Sequence, residues 1–438
     1  MQVGAPAPIF RSIARLSAPG LALAAFQTAV SIADTHYVGR LGTEPLAGLA
    51  LVFPLVMLLQ MTSAGAMGGG VSSAIARARG AGNEAAARRL AVHAFVIALV
   101  VGLAFSLVFL AAGAPLYALL GGTGGALAQA RAYSDVLFGG AVLVWLANTF
   151  AAALRGGGST AIPAAALAAA ALVQIPLSGA LTLGWGPFPA LGIRGAAVAY
   201  AISFGVAAVI MGACVWAGAL RPREGDWKLE WRLFREILRI GALSSVSALQ
   251  TVVAAIILTG CVGTFGTAAI AGYGVGIRLE LLQVPIVFAI GQALVILVGT
   301  SIGAGQAERA RRIAWSGTLA SMAVCLAIGL IAALLPALWI ALFSSDPGVH
   351  QAGSLYLRIV APFYPLFGAG MALYFAAQGA GRVGLPILAG TARLVVVAAG
   401  GLLVVWSGAP LAWLFAVIAL GMTLFGGFAA VGVHRTRW

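Results

Sequence analysis

Leu16 to Ala33 carry no charge over 18 residues, yet the next residue is Asp34. An ionised side chain inside a membrane costs several kcal/mol by insertion scales, so a carboxyl at that place needs a function or a permanent partner. Low dielectric favours its neutral form, and alternating water access would let Asp34 load and release a proton. Ionised, it could equally bind a cation. The bland alternative is a buried Asp tied to a neighbouring hydroxyl or amide. Gln27 lies seven residues earlier on the same helical face, with Ser31 between them at i−3, which makes a polar stripe on an apolar helix. Pro19 and Gly20 precede Asp34 by about 22 Å at helical rise. Proline removes one helical hydrogen bond and its ring clashes with the turn before it, so a bend there would move the stripe.

Of the eleven acidic residues, only Asp34, Asp135 and Glu280 fall inside apolar runs. Asp135 follows Arg131 by four residues, the spacing of a helical ion pair. Glu280 is a second buried acid, two residues from Arg278 and so on a different face, and spacing leaves its role open between coupling and structure. Arg393 is its partner by elimination only. Asn148, Gln174, Gln250, Gln283, Gln292, Gln378 and Tyr374 are polar groups of the kind that tie helices together in lipid. His36 points away from Asp34 and reads as a packing or snorkelling residue. The four histidines lack metal-ligand spacing, no GxSxG turn occurs, and the single lysine, Lys228, does not follow GAMGGG (65–70) or GTSIG (299–303). No catalytic constellation, metal site or cofactor motif is expected, and the chain is not read as an enzyme. Cys214, Cys261 and Cys325 are isolated and expected to be inert.

The elements that must hold these residues follow from composition. The 438 residues are 62% hydrophobic and 8% charged, against roughly 25% charged in soluble domains, and the mean hydropathy is +1.05. A membrane helix needs about 20 apolar residues. Twelve such spans are predicted, near 16–39, 45–70, 90–112, 133–154, 161–184, 194–218, 240–262, 268–298, 313–342, 356–378, 385–405 and 409–433. The formal charge of +14 does not imply nucleic acid, because the basic residues concentrate at the N-terminus (Arg11, Arg15), in alternate loops, and at Arg435 and Arg437. By the positive-inside rule those loops and both termini are cytoplasmic. The first run is a full span rather than a cleaved signal, and is expected to be retained.

The sequence repeats itself. VGRLGTEPLAGLALVFPL from Val38 returns as VGTFGTAAIAGYGVGIRL from Val262, LLQ (58–60) as LLQ (281–283), GAGNEAAARRLA (80–91) as GAGQAERARRIA (303–314), and ALRGGGSTAIP (153–163) as AAQGAGRVGLP (376–386). Six spans separate the copies, so the halves insert in the same sense, a parallel repeat about the membrane normal. The expected fold is therefore all-α, with twelve transmembrane helices in two parallel pseudo-symmetric six-helix lobes. The lobes are placed at 1–219 and 240–438, joined by an amphipathic cytoplasmic linker at 220–239. Two facing bundles are a transporter architecture, because a cavity between them can open alternately to either side.

On ADTHYVGRLGTEPLAGLAL, the paired GAG loops before RR, LRGGGSTAIP, LGIRGAAVAYAIS (191–203) and GIRLELLQVP with IGQALVILVGTSIGAGQAERARR, the chain resembles the multidrug and toxic compound extrusion (MATE) family. The resemblance implies an exporter of cationic or amphipathic organic compounds in exchange for H⁺ or Na⁺, working as a monomer in a bacterial-type cytoplasmic membrane, with lipid around it. On that pattern Asp34 is the span 1 acid and ion-coupling residue. Gln27, Ser31, Asn148, Gln174, Ser178 and Tyr200 contact substrate in the first lobe, and Pro19 with Gly20 forms the hinge. The chain departs from the pattern at QIPLS, which has Gln174 and Ser178 where many members carry Asn and Asp, and at Tyr200, where a Thr is frequent. Spans 7 and 10 hold no acid, which favours the DinF-like branch with coupling concentrated at Asp34. A single carboxyl with neutral neighbours favours the proton. Na⁺ coupling through oxygens of Asp34, Ser178 and Asn148, and a lipid-linked oligosaccharide flippase of related fold, remain the alternatives.

Overall fold

The computed structural model describes residues 9–435; Arg437 lies outside them. Among the described residues there are helices and loops and no strand. In chain order the helices are α1 (Ile9–Gly39), α2 (Thr43–Gln60), a π-helical segment (Met61–Met67), α3 (Gly68–Gly80), α4 (Glu84–Leu119), α5 (Gly124–Gly139), α6 (Ala141–Gly156), α7 (Ala161–Leu183) and α8 (Ile193–Ala217). Then come α9 (Trp231–Gly263), α10 (Thr267–Gly303), α11 (Ala307–Leu334), α12 (Pro336–Ile340), α13 (Pro347–Val360), a 3₁₀ turn (Ala361–Phe363), α14 (Tyr364–Gly379), α15 (Gly384–Trp406) and α16 (Leu411–Arg435).

Among the described residues eleven helical runs are long and apolar enough to cross a membrane, or twelve if the bent pair α5–α6 counts as one span. The span expected at 133–154 is this pair, turned by 48° where Gly139 and Gly140 meet, a helix-weakening pair that kinks without proline. The span expected over 313–342 ends at Leu334, since Pro336 cannot continue the helix and opens α12 instead. Asn83 caps α4 by accepting the Ala86 N–H at 2.9 Å, and Asp346 caps α13 by accepting that of Val349 at 2.9 Å.

The chain divides into two compact units, Ala18–Ala242 and Leu243–Trp438 with Met1–Ser17. Both divisions fall inside continuous helices, one in α1 just ahead of Pro19 and one in α9. The segment expected as a linker is a loop only as far as Glu230; from Trp231 it is the start of α9, and it belongs to the first unit. There Arg88 pairs with Asp226 at 2.9 Å, Arg77 with Glu236 at 2.9 Å, and Arg89 with Glu230. His93, fully buried, donates from Nδ1 to the Arg89 carbonyl and accepts the Glu230 N–H at Nε2. Burial opposes ionisation of Asp226, but the Arg223 N–H and the Arg88 guanidinium outweigh it and hold the carboxyl below its ordinary range. Arg89 does the same for Glu230.

Each unit has its own core. In the first, Trp145, Tyr117 and Phe138 are fully buried where α6 packs on α3, α4 and α8. In the second, Tyr356, Tyr364 and Phe415 play that part among α10, α13, α14 and α16. The repeat reappears as matched helix crossings. A Cβ on Gly156 would sit 2.7 Å from the Ser72 carbonyl oxygen, and one on Gly379, 223 residues on, 2.7 Å from that of Val295, 223 residues beyond Ser72. Only glycine lets these backbones touch.

Candidate functional site

The site grows from α1, α7 and α8 of the first unit. Asp34 Oδ2 accepts a hydrogen bond from Gln174 Nε2 at 2.9 Å. The amide is turned that way because Gln174 Oε1 accepts from Ser203 Oγ at 2.8 Å, and Ser203 also donates to the Tyr200 carbonyl at 2.9 Å. Ser178, one turn beyond Gln174 on α7, brings its hydroxyl toward the carboxyl, but Asp34 Oδ1 and Ser178 Oγ close no hydrogen bond, and both are buried without a partner. Gln174 is 4% exposed and Ser178 0%. Tyr133 and Tyr200 stand within electrostatic reach of Asp34.

A second string of polar groups continues from Tyr200. Its hydroxyl accepts from Gln60 Nε2 at 2.6 Å, and Gln60 Oε1 accepts from Asn148 Nδ2 at 3.1 Å. Asn148 Nδ2 also donates to Ser63 Oγ at 2.8 Å, and Ser63 donates to the Leu59 carbonyl at 2.6 Å. Ser63 lies in the π-helical segment, whose i→i+5 bonding re-aims side chains and recurs at functional sites. Asn148 thus reaches Tyr200 through Gln60 rather than touching the Asp34 carboxyl.

Of the residues singled out from the sequence, Asp34, Gln174 and Ser178 come together directly, and Tyr200 and Asn148 join through hydrogen bonds. Gln27 and Ser31 lie on α1, exposed, and their side chains make no hydrogen bond among the described residues. Pro19 and Gly20 sit inside an unbroken α1. Glu280 is in the second unit, where Tyr356 donates to its Oε2 at 3.0 Å. Arg131 and Asp135 are 3.7 Å apart and exposed, the local pair their spacing predicts. Sequence reading missed Gln60, Ser63 and Ser203. Gln60 had a signal, since LLQ recurs in both halves, and Ser203 closes the LGIRGAAVAYAIS stretch; Ser63 depends on the π-helical segment, for which residue spacing provides no cue.

A polar string bearing a carboxyl crosses an otherwise apolar helical unit, and the unit is repeated in sequence and in its helix crossings, the organisation of a membrane transporter. The MatE family model matches residues 21–179 and again 244–403, and the chain belongs to that family, the multidrug and toxic compound extrusion transporters. Among curated relatives it is similar to a FAD transporter of Shewanella oneidensis, 27% identical over 375 residues covering 83% of this chain and 80% of that one. It is also similar to a probable multidrug resistance protein NorM of Thermotoga maritima, 28% identical over 387 residues, 87% and 82% of the two chains. Among solved structures, a MOP superfamily transporter from Pyrococcus furiosus shares the fold with a TM-score of 0.89 at 24% identity, covering 98% of this chain and 96% of that one.

Proposed function

We propose that the protein exports amphipathic, typically cationic, organic compounds across the cytoplasmic membrane in exchange for protons, with both termini cytoplasmic and Asp34 as the coupling carboxyl. The observation that carries the reading is the asymmetry of Asp34. Oδ2 is held by an amide N–H, whereas Oδ1 is buried with no partner beside the unpartnered Ser178 hydroxyl. An unpaired ionised oxygen in such a place costs several kcal/mol. A proton on Oδ1 removes the charge and supplies a donor for Ser178 Oγ.

Na⁺ is the weaker fit. Gln174 turns its N–H₂ toward the carboxyl, its oxygen being taken by Ser203, and Asn148 is engaged with Gln60 and Ser63. That leaves Asp34 and Ser178 as the oxygens at hand, fewer than a dehydrated cation needs. The test is ethidium efflux from proteoliposomes under a pH gradient with and without Asp34→Asn.

A second reading concerns the sign of the cargo. Arg155, at the end of α6, has its Nε and Nη2 buried without a hydrogen-bond partner, and a relative bears the name FAD transporter. An unpaired guanidinium suits a phosphate or carboxylate group on an aromatic cargo. Inhibition of ethidium efflux by FAD in wild type but not in Arg155→Gln would favour it.

A further inference from the structure

Glu280 is the one acidic residue in the interior of the second unit's membrane helices among the described residues. Its Oε2 accepts from Tyr356 Oη at 3.0 Å. Tyr356 meets Tyr273 edge-on with ring centroids 5.4 Å apart, and Tyr364, also in reach of the carboxyl, has its hydroxyl buried beside that of Tyr356. The cation whose field reaches Glu280 is Arg393 on α15, yet no ion pair joins them. The Arg393 guanidinium instead lies over Phe367 and Phe425, 5.6 and 5.9 Å from the ring centroids. Arg278 is exposed and stacks on Phe343 at 5.2 Å. Cys325 on α11, near Tyr364, is the remaining titratable group of the cluster.

One turn beyond Glu280, Gln283 is fully buried with its amide nitrogen and oxygen both unpartnered. Its copy in the first half, Gln60, is bonded at both ends, in part through Asn148, and the residue 223 positions beyond Asn148 is the apolar Met371. The second unit therefore keeps an acid and an amide in an aromatic, apolar setting without the string of partners that the first unit provides.

A carboxylate in an apolar setting with a guanidinium in reach draws it into a pair, because a lone charge there is strongly disfavoured. A cation over aromatic faces gains less than an ion pair in that setting would return, too little to hold Arg393 away from an ionised Glu280. The observed arrangement is that of a neutral carboxyl. We propose that Glu280 is a second proton-binding site, in the second unit: a carboxylic acid while Arg393 rests on Phe367 and Phe425, and a carboxylate once its proton passes to water and Arg393 moves across to pair with it. This rests on the proton-coupled reading above, but the two can fail separately.

Infrared difference spectra of the full-length protein in liposomes, titrated from acid to alkaline pH, follow the C=O band of protonated carboxyls. Wild type should lose two such bands, Asp34→Asn should still lose that of Glu280, and Glu280→Gln should still lose that of Asp34. Arg393→Met, which removes the counter-charge, should move the loss of the Glu280 band upward by about one pH unit or more. Tyr356→Phe keeps the acid but removes its donor, and should shift the band's frequency, a check that holds if Glu280→Gln folds poorly. A Glu280→Gln spectrum identical to wild type, or a Tyr356→Phe spectrum without a shift, would overturn the site. Loss of a band in Glu280→Gln with none lost in Asp34→Asn would keep it and remove Asp34 as the coupling carboxyl.

Discussion

Asp34 presents two unlike oxygens, one fixed by Gln174 and one open toward Ser178, and on the proposed reading this difference gives the coupling proton a defined atom. Asp34→Asn keeps the shape and removes the titration, so pH-driven ethidium efflux from proteoliposomes should fall by at least about tenfold, equivalent to ~1.4 kcal/mol, with the protein still inserted. Gln174→Leu leaves Asp34 Oδ2 without its amide donor and takes one of two acceptors from the Ser203 hydroxyl, which keeps the Tyr200 carbonyl. It should destabilise the protein by about 1–3 kcal/mol, read as a lower melting temperature in detergent. Asp34 was legible because charge inside an apolar run is costly, and Gln174 and Ser178 because they stand at positions where the family resemblance points. The string through Gln60, Asn148 and Ser63 was not, since each is individually an ordinary polar residue and only tertiary packing sets their hydrogen bonds in series.

Helices carry the second level of the account. Pro19 lies just past the point in α1 where the chain passes from one compact unit to the other, so bending freedom there bears on any motion of the polar stripe. Pro19→Ala should slow efflux while leaving ethidium affinity, measured by fluorescence titration, within about twofold, a difference of only ~0.4 kcal/mol. At the repeated crossings, Gly156→Ala and Gly379→Ala each force a Cβ to 2.7 Å from a carbonyl oxygen. Each should destabilise by about 1–3 kcal/mol, and because the crossings are copies, the two melting shifts should be similar. The loop before α9 has a pH dependence of definite sign. Asp226 and Glu230 have carboxyls held below their ordinary values, so their contribution is complete above the unfolded values near 4 and is lost as pH falls through the lower folded ones. Protection from hydrogen exchange across 221–236, taken relative to the intrinsic rate at each pH, should fall below about pH 4, and Arg88→Gln should abolish much of that dependence. Spans were legible from apolar length alone. The 48° bend in α5–α6 and the break before α12 were not, because a glycine pair and a proline mark where a helix can yield without stating whether packing makes it do so.

At the scale of the molecule, duplication is the organising fact. The halves match in sequence, the family model matches each half, and the same glycine crossings recur in both units, yet the chemistry has diverged: Asp34 with its amide and hydroxyl partners in one, Glu280 with its tyrosines in the other. The repeat and the family were legible because they rest on many aligned residues. The extents of the units were harder, since the handovers lie inside α1 and α9, where local sequence stays helical and only packing assigns a turn to one side. The central claim is that proton loading at Asp34 drives export. Ethidium efflux from proteoliposomes, with a pH gradient and a Na⁺ gradient imposed separately and Asp34→Asn beside wild type, tests it most directly. The account predicts efflux under the pH gradient alone, lost in the variant; efflux that follows the Na⁺ gradient, or a variant that exports as well as wild type, would contradict it.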